Sequence, residues 1–201
     1  MSEKKILEKF IKAGAVLKGH FKLSSGLHSD TYIQCSKITH NAKINNELCV
    51  YLVDKILKKI SDQKIDLVIS PAMGGVLVGY EISRILGVEN IFCERVGGEF
   101  QLRRGFQIPE KSNILIVEDV ITTGKSSLEV LELISNYDVN IVAEASLIDR
   151  SDSDLDIEKK LSIPVISLLK VEAETFSPNN IPEHLKNLDA IKPGSRFISN
   201  S

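Results

Sequence analysis

The sequence predicts an α/β fold, a doubly wound and mostly parallel sheet with helices on both faces. Three observations carry this. Short runs of β-branched and apolar residues recur along the chain, each run is unbroken rather than alternating, and helical segments separate them. Strands of that kind are buried on both faces, as in a parallel sheet whose crossovers are helices. The 201 residues suffice for a sizeable core and fit one domain, with room for a small appendage.

Taken in order, residues 3–13 place Ile6, Leu7, Phe10 and Ile11 at helical spacing. Residues 44–60 repeat the pattern with Leu48, Leu52, Val53, Ile56, Leu57 and Ile60. Leu67-Val68-Ile69 is the first buried-strand run, followed by a Pro/Gly turn and a helix over 76–86 that Gly87 closes. Ile91-Phe92-Cys93 is the second run. Ile114-Leu115-Ile116-Val117 is the third, and a helix over 126–136 follows it. Ile141-Val142-Ala143 and Val165-Ile166-Ser167-Leu168-Leu169 complete the series. Ligands of such sheets bind beyond the carboxyl ends of the strands, which directs attention to the residues after each run.

Composition excludes some function classes. Lys plus Arg total 25 against 27 Asp plus Glu, a balance that gives no support for bulk nucleic-acid or membrane binding. No window approaches the roughly 18 apolar residues of a membrane span. The opening Met1 to Glu8 mixes charges of both signs, unlike a signal peptide. Cys35, Cys49 and Cys93 are odd in number and far apart, so they read as free thiols in a reducing compartment, the cytoplasm. His20, His28, His40 and His184 are scattered and read as packing or surface residues, with His28 the one nearest the candidate site. The run Asp152-Ser153-Asp154-Leu155-Asp156 reads as a solvated turn.

The chemistry concentrates after the third strand run. Glu118-Asp119 is followed by Val120-Ile121-Thr122-Thr123-Gly124-Lys125-Ser126, and a helix opens there. A Thr/Gly/Ser loop at a helix N-terminus aims backbone N–H groups, hydroxyls and the positive dipole end at one spot, a ready phosphate site. The paired carboxylates suit the hydroxyls of a sugar diol beside that phosphate. Gly124-Lys125-Ser126 matches half of a nucleotide P-loop, but Asp119 stands where that motif requires glycine and would repel a polyphosphate. Alternatively, Glu118 and Asp119 only cap a helix and the threonines only turn the chain. Two adjacent acids ending a buried strand make that reading the weaker one.

Ile114 to Ser126 resembles the signature of type I phosphoribosyltransferases that binds 5-phosphoribosyl 1-pyrophosphate (PRPP). Other segments resemble the orotate phosphoribosyltransferases in particular. Phe21 to Tyr32 is similar to the segment that covers the base, which implies a small hood built from about residues 1–40 and the C-terminal segment, over a core of about 44–170. Ser70-Pro71-Ala72-Met73-Gly74-Gly75-Val76 resembles the pyrophosphate loop, where the family carries a non-proline cis peptide, expected here near Ala72–Met73. Leu147-Ile148-Asp149-Arg150 resembles the strand end whose arginine meets the orotate carboxylate, as a guanidinium fork can.

The resemblance thus implies PRPP contacts from residues 118–126 with Gly74 and Gly75. It implies orotate contacts from Thr122, Arg150, Tyr32, Ser25 and Gly26. Many members carry a Lys-rich mobile loop where this chain has Glu94 to Phe106, and no Lys occurs between Lys64 and Lys111. Ser24 and Gly74 also stand where other members have Lys. The segment is similar instead to a shorter-loop subgroup, as is the tail Lys192 to Arg196. Arg95 and Arg103, with Arg104 behind them, are then the candidates to neutralise the leaving pyrophosphate, alongside Asp119 as a catalytic residue. The resemblance further implies Mg²⁺ carried with PRPP, reached by Glu118 and Asp119 through water, and a homodimer with a shared active site. A transferase for a purine base would need no Arg150. Non-catalytic PRPP sensors usually add a nucleic-acid-binding module, for which the first 20 residues are too short and too evenly charged.

Overall fold

The protein is described here by a computed structural model covering residues 2–23, 26–61 and 63–192. In chain order its elements are α1 (Glu3–Lys12), β1 (Val16–Lys22), β2 (His28–Ile33), α2 (Ser36–Thr39), α3 (Ala42–Ile60), β3 (Leu67–Pro71), α4 (Gly74–Leu86), β4 (Glu89–Val96), β5 (Glu99–Leu102), β6 (Asn113–Ile121), α5 (Lys125–Ile134), β7 (Asn140–Asp149), α6 (Ile157–Leu161), β8 (Val165–Lys170), β9 (Thr175–Phe176) and α7 (Glu183–Lys186).

Six strands form the central sheet in the order β5-β4-β3-β6-β7-β8. Every pairing is parallel except that of β4 with β5. The unbroken apolar runs are the inner strands, and all five residues of β3 are buried. Alternate residues serve opposite faces. Val68, Leu115 and Val117 join the core beneath α1, α3 and α4, while Leu67, Ile69, Ile114 and Ile116 join the core beneath α5. After the edge strand β5 the chain returns past β4 and β3 to begin β6. The strand order therefore reverses between β3 and β6, and a crevice opens at their carboxyl ends.

A second sheet, antiparallel and ordered β1-β2-β9, forms the hood. The C-terminal segment clips onto it, with Lys22 N–H donating to Ile191 O and Ile191 N–H to His20 O, both at 2.8 Å. The register of the β1–β2 hairpin also joins two histidines that the sequence left scattered. His20 Nε2 lies 2.6 Å from His28 Nδ1, and His20 Nδ1 lies 2.8 Å from Leu188 O. Both rings are buried. Burial, and then the neighbouring His20, lower the His28 pKa from its ordinary value.

Some boundaries differ from the expectation. The helix placed at 76–86 begins at Gly74, and the one placed at 126–136 ends at Ile134, where Tyr137 N–H turns back to Ile134 O at 3.0 Å. Glu94 to Phe106, read as a loop, is largely a hairpin in which β4 and β5 pair from Cys93–Leu102 to Val96–Glu99. Gly97 and Gly98, at φ +63° and +99°, make its two-residue turn, a conformation that L residues adopt with strain. The peptide between Ala72 and Met73 is cis, at the position the resemblance implies.

Gly75 shows how tightly α4 is seated on the sheet. A Cβ there would lie 2.6 Å from the Val117 carbonyl oxygen, and backbone cannot yield as a flexible side chain can. Alanine in a helix ordinarily stabilises by about 0.5–1 kcal/mol relative to glycine. Gly75→Ala should instead destabilise by about 1–3 kcal/mol, because overpacking outweighs propensity. Urea denaturation of the two proteins checks the sign; a more stable variant would mean that α4 can shift freely.

Candidate active site

The crevice at the β3–β6 switch point holds a cavity of about 810 Å³. Its floor is the end of β6 and the passage into α5, every residue from Glu118 to Ser127 lining it. The geometry follows from the local sequence. Gly124 caps α5 at φ +70°, and α5 begins at once with Lys125. The first-turn residues Lys125, Ser126 and Ser127 thus present the unpaired N–H end of the helix to the cavity. The loop is braced from outside, Lys160 Nζ donating to Thr123 O at 2.6 Å. Lys125 itself points outward, its side chain 79% exposed and 3.9 Å from Glu129.

Glu118 and Asp119 leave the strand on opposite faces. Asp119 faces α4, and a Cβ on Gly74 would fall 2.6 Å from its Cγ, so a larger residue there would require Asp119 to move. Glu118 faces α5. Burial, then the charges of Asp119 and Glu144, push its carboxyl well above the usual range. Burial likewise raises Asp119. Two desolvated carboxyls side by side cannot both ionise cheaply, and a cationic or hydroxyl-rich ligand would relieve them.

Arg95 and Arg150 supply positive charge at the rim. Arg95 is fixed on the β4–β5 hairpin, paired with Glu129, donating to Gly98 O at 2.7 Å and stacked 4.1 Å over the Phe100 ring. Arg150 follows β7. Its backbone N–H donates to Ile121 O at 2.8 Å, which places it beside the loop 118–126. Its guanidinium donates to Thr31 O at 3.1 Å, and partial burial draws its pKa down. Tyr32 reaches the same wall from β2, its phenol raised by burial and by Asp119.

Most of the residues expected from the sequence therefore converge: Glu118 to Ser126, Arg95, Arg150 and Tyr32 line one cavity. Gly74 packs against Asp119 and Gly75 against the Val117 carbonyl, and neither lines the cavity. Gly26 sits at φ +87° in the β1–β2 turn, where Leu23 and Leu27 are the lining residues. Ser24, Ser25 and the tail beyond Lys192 lie outside the described residues.

Two of the candidate arginines lie off this cavity within the protomer. Arg103 is exposed beyond β5 and does not line the cavity. Arg104 lies at the hairpin exit with φ +61° and donates two bonds of 2.9 Å to Glu94. The acidic run after Arg150 is more than a solvated turn. Asp152 lines the cavity, and Asp156 caps α6 by accepting from Lys159 N–H at 3.0 Å. Lys22, Cys35, Thr175 and Lys192 also line it. Thr175 carried no local signal, since only long-range pairing of β9 with β2 brings it there.

Comparison with known proteins agrees with this geometry. Residues 40–175 match the phosphoribosyl transferase domain family. The orotate phosphoribosyltransferase of Sphingopyxis alaskensis is 43% identical over 200 residues, covering 99% of this chain and 100% of that protein. The enzyme of the same name from Erythrobacter litoralis is 41% identical over 98% of this chain and 99% of that protein.

The chain belongs to the orotate phosphoribosyltransferase family.

Among solved structures, the orotate phosphoribosyltransferase of Aeropyrum pernix superposes with a TM-score of 0.70 at 22% identity, covering 83% of this chain and 93% of that one. The adenine phosphoribosyltransferase of Saccharomyces cerevisiae gives 0.66 at 20% identity, covering 83% of this chain and 99% of that one. The fold is thus shared with proteins named for different bases.

The raised Glu118 carboxyl has a measurable consequence. A carboxyl that holds its proton more tightly when folded lowers stability at any pH above the ordinary carboxylate range, and the penalty vanishes below it. Glu118→Gln should therefore raise the urea midpoint of the ligand-free chain at about pH 8 and change it little at about pH 4. A midpoint at the higher pH that stays put or drops would refute the burial argument.

Proposed function

We propose that this enzyme transfers the 5-phosphoribosyl group from PRPP to orotate, giving orotidine 5′-monophosphate and pyrophosphate in pyrimidine synthesis. The observation that carries this reading is the placement of Arg150 on the wall of the same cavity as the loop 118–126, beside Tyr32 and Thr122. A guanidinium there offers a fork to a carboxylated base, which a purine site would not require.

In this reading the α5 N-terminus holds the 5-phosphate through the N–H groups of Lys125 to Ser127 and the Thr122 and Thr123 hydroxyls. Glu118 and Asp119 accept from the ribose hydroxyls, and Asp119 faces the positive charge that develops on the ribose as pyrophosphate leaves. The base nitrogen attacks from the opposite face, with inversion. No protein nucleophile is needed, so rate enhancement rests on positioning and on charge neutralisation. Arg95 is held at the rim to meet the leaving group.

Among the described residues no cluster of three or more His, Cys, Asp or Glu is arranged to hold a metal. The oxygen donors of Glu118 and Asp119 suit Mg²⁺, which keeps several waters and binds largely through substrate phosphates. When bound, the ion would neutralise charge on the pyrophosphate oxygens.

A homodimer accounts for two further features. Met73, Leu77 and Tyr80 form an exposed apolar row along α4, at 82%, 49% and 59% exposure. The β4–β5 hairpin carries Arg103 away from its own cavity, where it can serve a neighbour. Sedimentation should give a single species of twice the chain mass, and Tyr80→Glu should shift it toward monomer; a wild-type monomer would rule the arrangement out. No helix among the described residues is long and apolar enough to cross a membrane. Three buried free thiols fit a cytoplasmic setting.

The deciding assay supplies Mg²⁺ and PRPP with either orotate or adenine. Orotate alone should be consumed; turnover of adenine instead, or of neither, would sink the assignment. Arg150→Ala should raise the KM for orotate by about 10- to 100-fold while changing that for PRPP little, since it removes a bidentate charged pair. Equal losses for both substrates would refute its role.

A further inference from the structure

Glu144 is a buried acid that the chemistry above does not use. It lies on β7 with no exposure, beside Ile116 of β6 in the sheet. It therefore shares the α5 face with Glu118, two residues further along β6. Its Oε1 accepts from Ser127 Oγ at 2.6 Å. Its Oε2 is buried and has no hydrogen-bond partner among the described residues. An orphaned buried carboxyl oxygen is unfavourable, and an apolar side chain at this strand position would avoid the penalty. Ser127, the group it does engage, is the third residue of α5 and lines the cavity.

We propose that Glu144 is a positioning residue for the phosphoribosyl ligand. Through Ser127 it sets the first turn of α5 against the cavity, and by gaining or losing a proton it sets how strongly that turn attracts phosphate. The inference rests on reading the loop as the PRPP site.

Burial pushes the Glu144 carboxyl up to about 7 against the pull of the Ser127 bond, so its charge changes near neutrality. The neighbouring charges are engaged elsewhere. Lys125 is near Glu129, Glu129 pairs with Arg95, and Lys160 donates to Thr123 O. Asp119 faces α4, and the β8 residue beside Glu144 is Val165, which is apolar. Glu118 shares the corner, within reach of Arg95, and an ionised Glu144 makes it hold its proton more firmly. With Glu144 neutral, the positive end of α5 acts on the ligand alone. With Glu144 ionised, a buried negative charge beneath the same turn opposes the phosphate.

Calorimetric titration with Mg²⁺ and PRPP from about pH 6 to about pH 8.5 tests this on wild type, Glu144→Gln and Ser127→Ala. Glutamine keeps an acceptor for Ser127 but cannot ionise. Wild type should lose affinity relative to Glu144→Gln by about threefold to tenfold as pH rises through the range. Titration of the ligand's own phosphates is common to both proteins and cancels in that ratio. Ser127→Ala should weaken binding by about threefold to tenfold even at the acid end, where the hydrogen bond is lost without a change of charge. Parallel pH profiles for wild type and Glu144→Gln would overturn the proposal, as would wild-type affinity in Ser127→Ala. Should Glu144→Gln fail to fold, Ser127→Ala carries the decision. A wild-type chain that binds no PRPP would sink this inference with the reading beneath it. One that binds PRPP but leaves orotate untouched would remove only the acceptor assignment, since the binding test uses no base.

Discussion

Two carboxyl groups side by side at the end of a buried strand are the constraint around which this molecule is arranged. A strand buried on both faces must send consecutive side chains to opposite sides, so Glu118 turns to α5 and Asp119 to α4. Neither side can close over its acid with apolar packing. On the α4 side the helix begins with two glycines, Gly74 leaving room for Asp119 and Gly75 resting on the Val117 carbonyl. On the α5 side the neighbouring layer is polar as well, with Ser127 bonded to Glu144. The cavity is what remains when both helices start beyond the acids instead of across them.

That arrangement gives each helix end a distinct use. The positive end of α5 projects into the cavity and supplies attraction for an anion without lysine side chains. Charge that side chains do provide is held in place by the fold. Arg95 is pinned by Glu129, Gly98 and Phe100, and Arg150 by its backbone bond to Ile121 and its side-chain bond to Thr31. A site that must stabilise developing charge gains from groups that need no reorganisation at the moment of reaction. The cavity is therefore unfavourable for the ligand-free protein and suited to a ligand carrying phosphates, a diol and a carboxylate.

The hood shows a different economy. Its three short strands could not bury a core alone, and they are tied down by paired histidines and by the return of the C-terminal segment to β1. Those ties bring Tyr32, Leu27, Thr175 and Lys192 to the cavity from positions spread over most of the chain. The hood side of the cavity is thus assembled from long-range pairings, whereas its floor is one continuous segment.

That division also marks what the sequence determined by itself. The parallel sheet was legible because unbroken β-branched runs between helices suit strands covered on both faces and little else. The loop 118–126 was legible because its polar groups lie within nine consecutive residues at a helix start, and Arg150 because its strand end could be matched as a unit. Tertiary structure decided the rest. Only strand pairing turned Glu94 to Phe106 into a hairpin that fixes Arg95 on the cavity and leaves Arg103 off it. Only hairpin register joined His20 to His28, and only the alternation of faces across β6 and β7 put Glu144 beneath Ser127. In each case the partners are distant in sequence and neither carries a local pattern. Their meeting depends on register and layer order, which no single segment encodes.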